Sequence, residues 1–466
     1  MSKAGLLLVG ALVVLMWVGT VIFLWPVLQT NFRGLPPTQA RYTSIAGVLV
    51  NYLVFAITLI AAYRFVIRRR EPEPAVLPEP MPEPKLVPVA APNGLTVQVA
   101  QPLPEPLPVM PAPTASLTPV GQPLARRAVV AAGAGALMAI PTYRLVKDLY
   151  DRAVFPYDGT VYSGPGVQPL TPNEKFYTVT KNVVDPNVKK SVWGLEINGH
   201  VEHGRTYDFS ELTALPATEQ ETTLMCISNA VGAGLSSNAV WTGVPMRDLL
   251  NAAGVQPDAV EVKLYGADGY TDTFAIEKAL DPATMVVYLK NGERLGERHG
   301  YPARVIVPGL YGEKNVKWVT GIEVIDHDGK GFYETQGWGP NFVIPTRSDI
   351  FSPRRTRHNG KDSFDKPISL NQTTLIKGRA FGGDRGVSKV EISFDNGQSW
   401  TDATIVSPGT RLTWVFWSFP WRPVKAGDYQ LVCRATDGNG GQQTTEVRGI
   451  VPQGATGYHK VKATVQ

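Results

Sequence analysis

Cysteine is scarce in this chain, and that scarcity excludes several classes of protein. Only two of the 466 residues are cysteine, Cys226 and Cys433. Two thiols are too few for a disulfide framework, a cysteine-rich zinc site or an iron–sulfur cluster. All six histidines follow residue 199, so the apolar N-terminal stretches offer no histidine to a membrane haem, and the sequence has no Cys-x-x-Cys-His motif. We therefore expect a chain without haem.

Charged residues are also few, at 18% of the chain, which favours a membrane-embedded portion. The net charge of +5 comes from residues 1–143, which hold ten Lys and Arg against five Glu. The remaining residues balance, with 35 basic and 35 acidic side chains. A nucleic-acid-binding domain would have its positive excess on a folded face, so nucleic acid is not an expected partner.

Two uncharged stretches near the N-terminus, 4–30 and 42–63, are each long enough to cross a membrane as a helix. A signal peptide is the alternative for the first, but its length and the second stretch favour two spans and an anchor over 1–70. Residues 71–125 contain 16 of the 39 prolines, which predicts an extended linker. Residues 126–146 begin with Arg126-Arg127 and include the uncharged stretch 128–143, which predicts either a third transmembrane helix or an internal twin-arginine signal.

The basic residues predict the orientation of this anchor. Arg64 and Arg68–Arg70 follow the second stretch, which marks that end as cytoplasmic. The loop 31–41 then faces out, and the chain after Arg144 should also emerge on the outer side. We expect a multi-pass protein of the cell membrane, with its globular part on the extracytoplasmic (periplasmic) side.

The globular part mixes helical and strand patterns without one dominant period, which predicts an α+β class rather than a doubly wound sheet. Over 160–365 we predict helices at Thr206–Leu215 and Pro245–Ala253, and strands at Trp193–Gly199, Val260–Tyr265, Met285–Leu289 and Ala303–Val307. Over 370–455, short β-rich runs separated by turns predict an Ig-like β-sandwich. Its expected strands are Thr374–Ala380, Lys389–Phe394, Trp414–Phe419, Tyr429–Ala435 and Gln443–Val451.

The most informative segment is Thr223-Leu224-Met225-Cys226-Ile227-Ser228-Asn229, followed by the small residues of 230–234 and by Trp241-Thr242-Gly243-Val244-Pro245. Cys226 ends a predicted strand and enters a loop of small residues, where a bulky ligand can approach the backbone. A lone cysteine is more often a buried apolar residue. Its position in this loop leaves two other interpretations of Cys226, as a nucleophile or as a soft metal ligand.

A second segment runs from His299-Gly300-Tyr301-Pro302-Ala303-Arg304 to Asn315-Val316-Lys317-Trp318. Histidine and arginine precede a predicted strand, and a glycine-rich loop with two lysines follows it. Such donors suit an anionic, phosphate-bearing ligand, and a solvated loop is the alternative.

Together these segments resemble the sulfite oxidase family of molybdenum enzymes, in particular its bacterial membrane-anchored or exported members. The resemblance includes Ser393-Phe394-Asp395-Asn396-Gly397 and Arg434-Ala435-Thr436-Asp437, and covers roughly 160–455. It implies a mixed sulfite-oxidase-like molybdopterin domain plus a C-terminal Ig-like sandwich, placed here after two to three transmembrane helices and a Pro-rich linker.

The resemblance also implies a molybdenum held by a pyranopterin, with Cys226 as the protein's thiolate ligand. Asp268 and Trp338 correspond to positions near the metal, although Asp268 is also a plausible turn residue before Gly269. The residues implied in cofactor binding are Tyr177, Lys181, Asn182, His299, Arg304, Asn315, Val316 and Lys317. Cys433, in the middle of a predicted strand, is expected to pack in the core.

The sequence departs from the family at the substrate position. Sulfite oxidases place an arginine shortly after the cysteine, where Ala230 and Val231 stand here, and a tyrosine near the metal, where Trp338 stands. An oxyanion in a dry pocket needs a cationic partner. The departures favour an oxo-acceptor that is neutral or otherwise different from sulfite. The alternative is that Arg347, Arg354, Arg355 or Arg357 supplies the cation.

The first functional hypothesis is therefore a membrane-anchored molybdenum-cofactor oxidoreductase that performs two-electron oxo transfer on a small oxo-donor or acceptor. Its electrons would pass to or from a separate electron-transfer protein or a quinone-linked membrane complex, and a homodimer through the Ig-like domain is an expected assembly. The alternative is a non-catalytic or accessory subunit of a larger membrane redox complex. A Cys226–His299 hydrolase is a third hypothesis, but no hydrolase motif surrounds either residue.

Overall fold

The computed structural model describes residues 33–67, 86–90, 96–100, 168–182 and 184–466, with short pieces at 10, 13–20 and 144. The predicted membrane stretch 128–143 and most of 4–30 lie outside the described residues. In the described part, one helix, α1 (Pro37–Ile67), is long and apolar enough by length and composition to cross a membrane. It begins at Pro37, which suits a first helical position because proline has no amide hydrogen to lose there.

Two short strands, β1 (Leu86–Ala90) and β2 (Thr96–Ala100), pair antiparallel within the predicted linker. The prediction for 71–125 included no paired strands. Both segments alternate β-branched residues and flank Asn93-Gly94, which is a turn-forming pair. The rest of 71–125 lies outside the described residues.

Two five-stranded sheets and three short helices form the next part of the chain. One sheet has the order β10-β9-β6-β5 with β11 paired to β9, and the other has the order β4-β3-β12-β7-β8 with β3 and β12 parallel. The strands are β3 (Gly194–Gly199), β4 (Arg205–Asp208), β5 (Thr218–Met225), β6 (Ser236–Pro245), β7 (Glu261–Gly266), β8 (Thr271–Ala275), β9 (Met285–Lys290), β10 (Glu293–Arg294), β11 (Arg304–Ile306) and β12 (Val319–Ile325). The helices are α2 (Phe209–Ala214), α3 (Met246–Ala253) and α4 (Ile276–Ala279), and single 3₁₀ turns occur at Asn173–Lys175, Glu297–His299, Gly312–Lys314 and Glu334–Gln336.

Ten further strands form two sheets that share one apolar core. Their orders are β13-β16-β20-β19 and β14-β15-β22-β21-β17-β18. The core contains Trp417 from the first sheet and Leu431 from the second, and Cys433 is fully buried in it. The strands are β13 (Arg347–Ser352), β14 (Arg355–His358), β15 (Lys361–Phe364), β16 (Thr374–Phe381), β17 (Val387–Ser393), β18 (Thr401–Asp402), β19 (Thr404–Ser407), β20 (Val415–Trp421), β21 (Gly427–Asp437) and β22 (His459–Val465).

Two predicted elements are wrong. Thr206–Leu215 is not one helix, because residues 205–208 pair with β3 and the helix begins only after Asp208. Asp208 caps that helix: its side chain accepts a hydrogen bond from the Glu211 amide, and Glu211 returns one. Gln443–Val451 is not a strand, because within it only Arg448 forms a β-bridge, an isolated one to Thr456. The buried Gln443 side chain bonds the backbone of Ala435 and Gly457.

Candidate functional site

Cys226 is the first residue after β5 and lines the wall of a cavity of about 270 Å³. Its amide donates to the carbonyl of Leu235 at 3.0 Å, which closes the loop that leads into β6. The side chain is 7% exposed. Burial, followed by the charge of Glu313, raises the pKa of the thiol to about 12. The thiol is therefore protonated at neutral pH unless a metal ion displaces the proton.

Most of the residues predicted from the resemblance line this same cavity. They are Tyr177, Lys181, Cys226, Asp268, His299, Arg304, Asn315, Val316, Lys317 and Trp338. Asn182 lies behind the wall, where its amide donates 3.1 Å to the carbonyl of Asp268. The structure thus brings together five segments that are separate in sequence. Their roles toward a cofactor remain predictions.

His299 and Arg304 lie on either side of the turn that leads into β11. Arg304 donates to the carbonyl of His299 at 3.2 Å and to that of Asn315 at 3.0 Å, which fixes the guanidinium in the wall. Burial, with the nearby charges of Lys290 and Arg304, lowers the pKa of His299 to about 2. The imidazole is therefore neutral, with one ring nitrogen that can donate a hydrogen bond and one that can accept.

Asn315 and Lys317 are held by backbone contacts. The Asn315 side chain accepts from the Val307 amide at 2.7 Å and donates to the Tyr311 carbonyl at 3.0 Å. Lys317 donates to the carbonyls of Val179 and Arg298 at 3.0 and 3.1 Å. Burial lowers the pKa of Lys317 to about 7, since its partners are carbonyl dipoles rather than a contacting carboxylate.

Asp268 has both of the roles considered for it. It precedes Gly269 in a turn, where its carboxylate accepts from the Tyr270 amide at 3.0 Å, and it also lines the cavity. It is 3% exposed, and burial raises its pKa while the charge of Lys181 opposes that rise. Trp338 lies at the same wall with its ring 6.0 Å from that of Tyr333.

Glu313 was missed in the sequence. It lines the cavity next to Gly312, and both carboxyl oxygens are buried with no hydrogen-bond partner among the described residues. Burial, with the charge of Asp272, raises its pKa to about 8, so the carboxyl holds a proton at neutral pH. A glutamate between a glycine and a lysine in a polar loop gives no sequence signal of this burial. Arg298, Tyr270 and Tyr333 also line the cavity and were not predicted.

The wall fits an anionic cofactor with many polar edges. Among the lining residues described, four are lysine or arginine (Lys181, Arg298, Arg304 and Lys317), against the two acids Asp268 and Glu313. Buried polar atoms without a partner in the described part of the chain include Thr180 Oγ1 and Arg304 Nε. Excess positive charge and unused donors in a dry pocket are costly unless an anionic ligand uses them.

The suggested arginine replacements for a substrate cation are wrong. Of the described residues that line the cavity, none belongs to 347–357. Arg347, Arg355 and Arg357 point at the backbone of the loop after Cys226. Arg354 is exposed and pairs with Asp365 at 2.9 Å.

Comparison with known proteins agrees with this geometry. Residues 182–333 match the model of the oxidoreductase molybdopterin binding domain, and residues 344–466 match that of the Mo-co oxidoreductase dimerisation domain. Together the two models match more than half of the chain.

The chain is 30% identical over 351 residues to the mitochondrial sulfite oxidase of Drosophila melanogaster, covering 63% of this chain and 59% of that protein. It is 29% identical over 324 residues to the NAD(P)H nitrate reductase of Hordeum vulgare, covering 58% of this chain and 36% of that protein. The chain thus spans less than two thirds of the length of each of these relatives.

A solved structure shares the fold. The sulfane dehydrogenase SoxCD from Paracoccus pantotrophus matches with a TM-score of 0.55 and 24% identity, covering 68% of this chain and 91% of that one. One conclusion follows from the mixed α+β domain, the sheet-rich C-terminal domain and the two matching domain models. The chain belongs to the sulfite oxidase family of molybdopterin-dependent oxidoreductases.

Proposed function

We propose that this protein is a membrane-anchored molybdenum-cofactor oxidoreductase that carries out two-electron oxo transfer outside the cytoplasm. The observation that supports it best is a cavity whose described lining includes the buried Cys226 thiol, the neutral His299 and several cations. When bound, the molybdenum centre supplies the two-electron redox couple and the position at which oxygen is exchanged. In the oxidising direction, water provides the oxygen atom, two protons are released, and two electrons pass to a separate acceptor.

The chain's residues have distinct tasks in this proposal. Cys226 provides the thiolate ligand, once metal binding has displaced its proton. Arg304 and Lys317 neutralise the phosphate and the other anionic groups of the cofactor, and neutral His299 bonds a polar edge of the pterin. The remaining proposed cofactor contacts are Tyr177, Lys181, Asn182, Asn315 and Val316.

The acidic residues that line the cavity, Glu313 and Asp268, are proposed to exchange protons during the reaction. Glu313 holds a proton at neutral pH because burial raises its pKa to about 8. It can therefore release or take up one of the protons that oxo transfer requires. Asp268 is buried in the same wall. Trp338 contributes an apolar surface without the hydroxyl group of a tyrosine.

The proposed substrate is a neutral or weakly charged oxo-donor or acceptor. Residues 227 and 228 line the cavity, whereas Ala230 and Val231 do not, so the loop brings no guanidinium of its own to the reacting group. Of the cations that line the cavity, Lys181, Arg304 and Lys317 are assigned to the cofactor, and Arg298 pairs with Asp185 at 2.8 Å. A sulfite dianion would then lose hydration without gaining a matching partner.

Contacts of the segment before α1 support the extracytoplasmic location. The Lys189 amide donates to the carbonyl of Arg33 at 3.1 Å, and the Gly194 amide donates to that of Gly34 at 3.2 Å. By the positive-inside rule the loop 31–41 faces out, so a domain that binds this loop lies on the same side. Redox partners are proposed as a separate electron-transfer protein or a quinone-linked complex, and the C-terminal domain is proposed to form a homodimer.

A metal analysis coupled to a turnover assay tests this function. The purified full chain should contain about one molybdenum and one pterin per protein, and should turn over an oxo-donor or acceptor with an artificial redox partner. A chain with cofactor but no turnover on any substrate would favour the accessory-subunit alternative. A chain that binds no molybdenum would refute the proposed function.

A further inference from the structure

The loop that contains Cys226 is held from behind by the C-terminal domain. It runs from Cys226 to Leu235 between β5 and β6. Inside the loop, the Asn229 side chain accepts from the Leu235 amide at 2.9 Å, and the Ala233 amide donates to the carbonyl of Ala230 at 3.0 Å. Alanine and glycine give the middle of the loop little side chain with which to fix its own conformation.

Four guanidinium groups bond five consecutive carbonyl oxygens of this loop, residues 229–233. Arg347 donates to Asn229 and Ala230 at 3.3 and 3.1 Å. Arg357 donates to Val231 at 2.5 Å, Arg355 donates to Gly232, and Arg379 donates to Ala233 at 2.9 Å. We call Arg347, Arg355, Arg357 and Arg379 the guanidinium clamp.

Buried carboxylates hold the clamp in place. Asp362 is 5% exposed and pairs with both Arg355 and Arg357. Asp349 is 4% exposed; it lies 3.9 Å from Arg347 and 3.7 Å from Arg379, and it also accepts from the Gly232 amide at 2.9 Å. The loop is thus bonded through both its carbonyls and an amide.

His459 completes the arrangement beneath Gly232. Its Nδ1 accepts from the Ile350 amide at 2.9 Å, so Nε2 carries the proton and donates to Asp362 at 3.1 Å. Gly232 has a φ of +73°, and a β-carbon there would lie 2.4 Å from His459 Nε2. The loop can therefore pack against His459 only with glycine at position 232.

We propose that the guanidinium clamp positions Cys226 for metal ligation, so that the C-terminal domain is a working part of the redox site as well as a dimerisation domain. The metal-ligand role of Cys226 rests on the proposed function. The clamp residues are positioning residues, because they contact the loop backbone and lie outside the cavity. The C-terminal domain bonds five consecutive carbonyls of the loop, which restricts the loop to one conformation. That conformation sets the direction of the Cys226 thiol.

Alkylation of Cys226 in the cofactor-free full chain tests this directly, with Arg357→Met and Arg357→Lys as the variants. Arg434→Met is the matched control: Arg434 lies in the same domain, where it pairs with Glu391 and covers the ring of Trp400. Protein made in cells that lack pterin synthesis is treated with iodoacetamide, and modification is followed on the Cys226 peptide. Cys433 is fully buried and serves as an internal measure of global unfolding.

We expect Arg357→Met to accelerate alkylation of Cys226 about tenfold or more, because loss of charge-assisted bonds opens the loop locally. Arg357→Lys should restore part of the protection, and Arg434→Met should match the wild type. In the loaded enzyme, Arg357→Met should also alter the electron paramagnetic resonance signal of the half-reduced metal, which a purely stabilising role would leave unchanged.

Equal Cys226 alkylation rates in wild type and Arg357→Met would overturn the clamp, as would equal acceleration in Arg434→Met. If Arg357→Met does not fold, the alkylation rate of Cys226 in Arg357→Lys is compared with the wild type, and equal rates again overturn the clamp. The alkylation readout needs no cofactor, so it is independent of the proposed function. A molybdenum-containing wild type with unaffected alkylation refutes the clamp alone, and a molybdenum-free wild type with accelerated variants refutes the function alone.

Discussion

Glu313 and Cys226 line the same cavity, and the carboxyl of Glu313 adds to burial in raising the pKa of the Cys226 thiol to about 12. Replacing Glu313 by Gln removes that charge while keeping nearly the same shape. We expect the pKa of the thiol to fall in the cofactor-free protein, which would shift its alkylation profile toward lower pH. Glu297→Gln, at an exposed pair with Arg294, is the control and should leave the profile unchanged.

The same substitution should change how stability depends on pH. Burial raises the pKa of Glu313 from 4.5 to about 8, so the unfolded chain loses this proton first as pH rises. The folded state then binds more protons than the unfolded state, and the free energy of unfolding falls between those two values. Glu313→Gln should remove this loss and stabilise the cofactor-free protein at pH 9 by on the order of 2–4 kcal/mol. Urea titrations at pH 4 and pH 9 measure the free energy of unfolding of both proteins. If its change between the two pH values is the same in Glu313→Gln as in the wild type, the raised pKa is assigned to the wrong group.

Some of this site was predictable and some was not, for physical reasons. The small residues after Cys226 and the donors around Arg304 are local signals, and the structure brings both segments to one cavity. The clamp was not predictable, because its arginines lie more than 110 residues from their carbonyl partners. Three of them, Arg347, Arg355 and Arg357, were instead predicted as candidate substrate cations. In the C-terminal domain the last strand was missed, although Val461, Ala463 and Val465 alternate with polar residues as a half-buried strand requires.

Gly312 marks a close approach in the cavity wall. A β-carbon there would lie 2.7 Å from the Tyr177 hydroxyl and 3.6 Å from the Cα of Cys226. Gly312→Ala should push the tyrosine ring into the cavity and lower the fraction of protein that retains molybdenum. Gly449→Ala is the control, since no atom lies within 4 Å of its β-carbon position. Equal metal content in both variants would argue against cofactor binding at this wall.

Sulfite should be a poor substrate. Ala230 and Val231 stand in the sequence where the family has an arginine. Trp338 lines the cavity and offers no hydroxyl group. A missing charge-assisted contact costs about 2–4 kcal/mol, or about 30- to 1000-fold in kcat/KM. Steady-state assays with sulfite and an artificial one-electron acceptor should give a kcat/KM below about 10⁴ M⁻¹s⁻¹. A higher value would show that another cation of the wall serves the substrate.

A reporter fused after Gln466 tests the proposed topology. The basic residues Arg64 and Arg68–Arg70 predict a cytoplasmic end for the second apolar stretch, so the loop 31–41 is expected to face out. This loop contacts the globular domain through Arg33 and Gly34. A reporter that is active only outside the cytoplasm should be active in this fusion. Activity restricted to a cytoplasmic reporter would overturn the orientation.

The most direct test of the central claim is the molybdenum content and turnover of Cys226→Ser beside the wild type, with melting temperature as the measure of folding. Serine removes the soft thiolate and keeps the small loop, so the fold should persist while oxo transfer is lost. Cys433→Ser, in the C-terminal core, controls for loss of a buried thiol. The account predicts molybdenum and turnover in the wild type and no turnover in folded Cys226→Ser. Wild-type turnover in Cys226→Ser would contradict it.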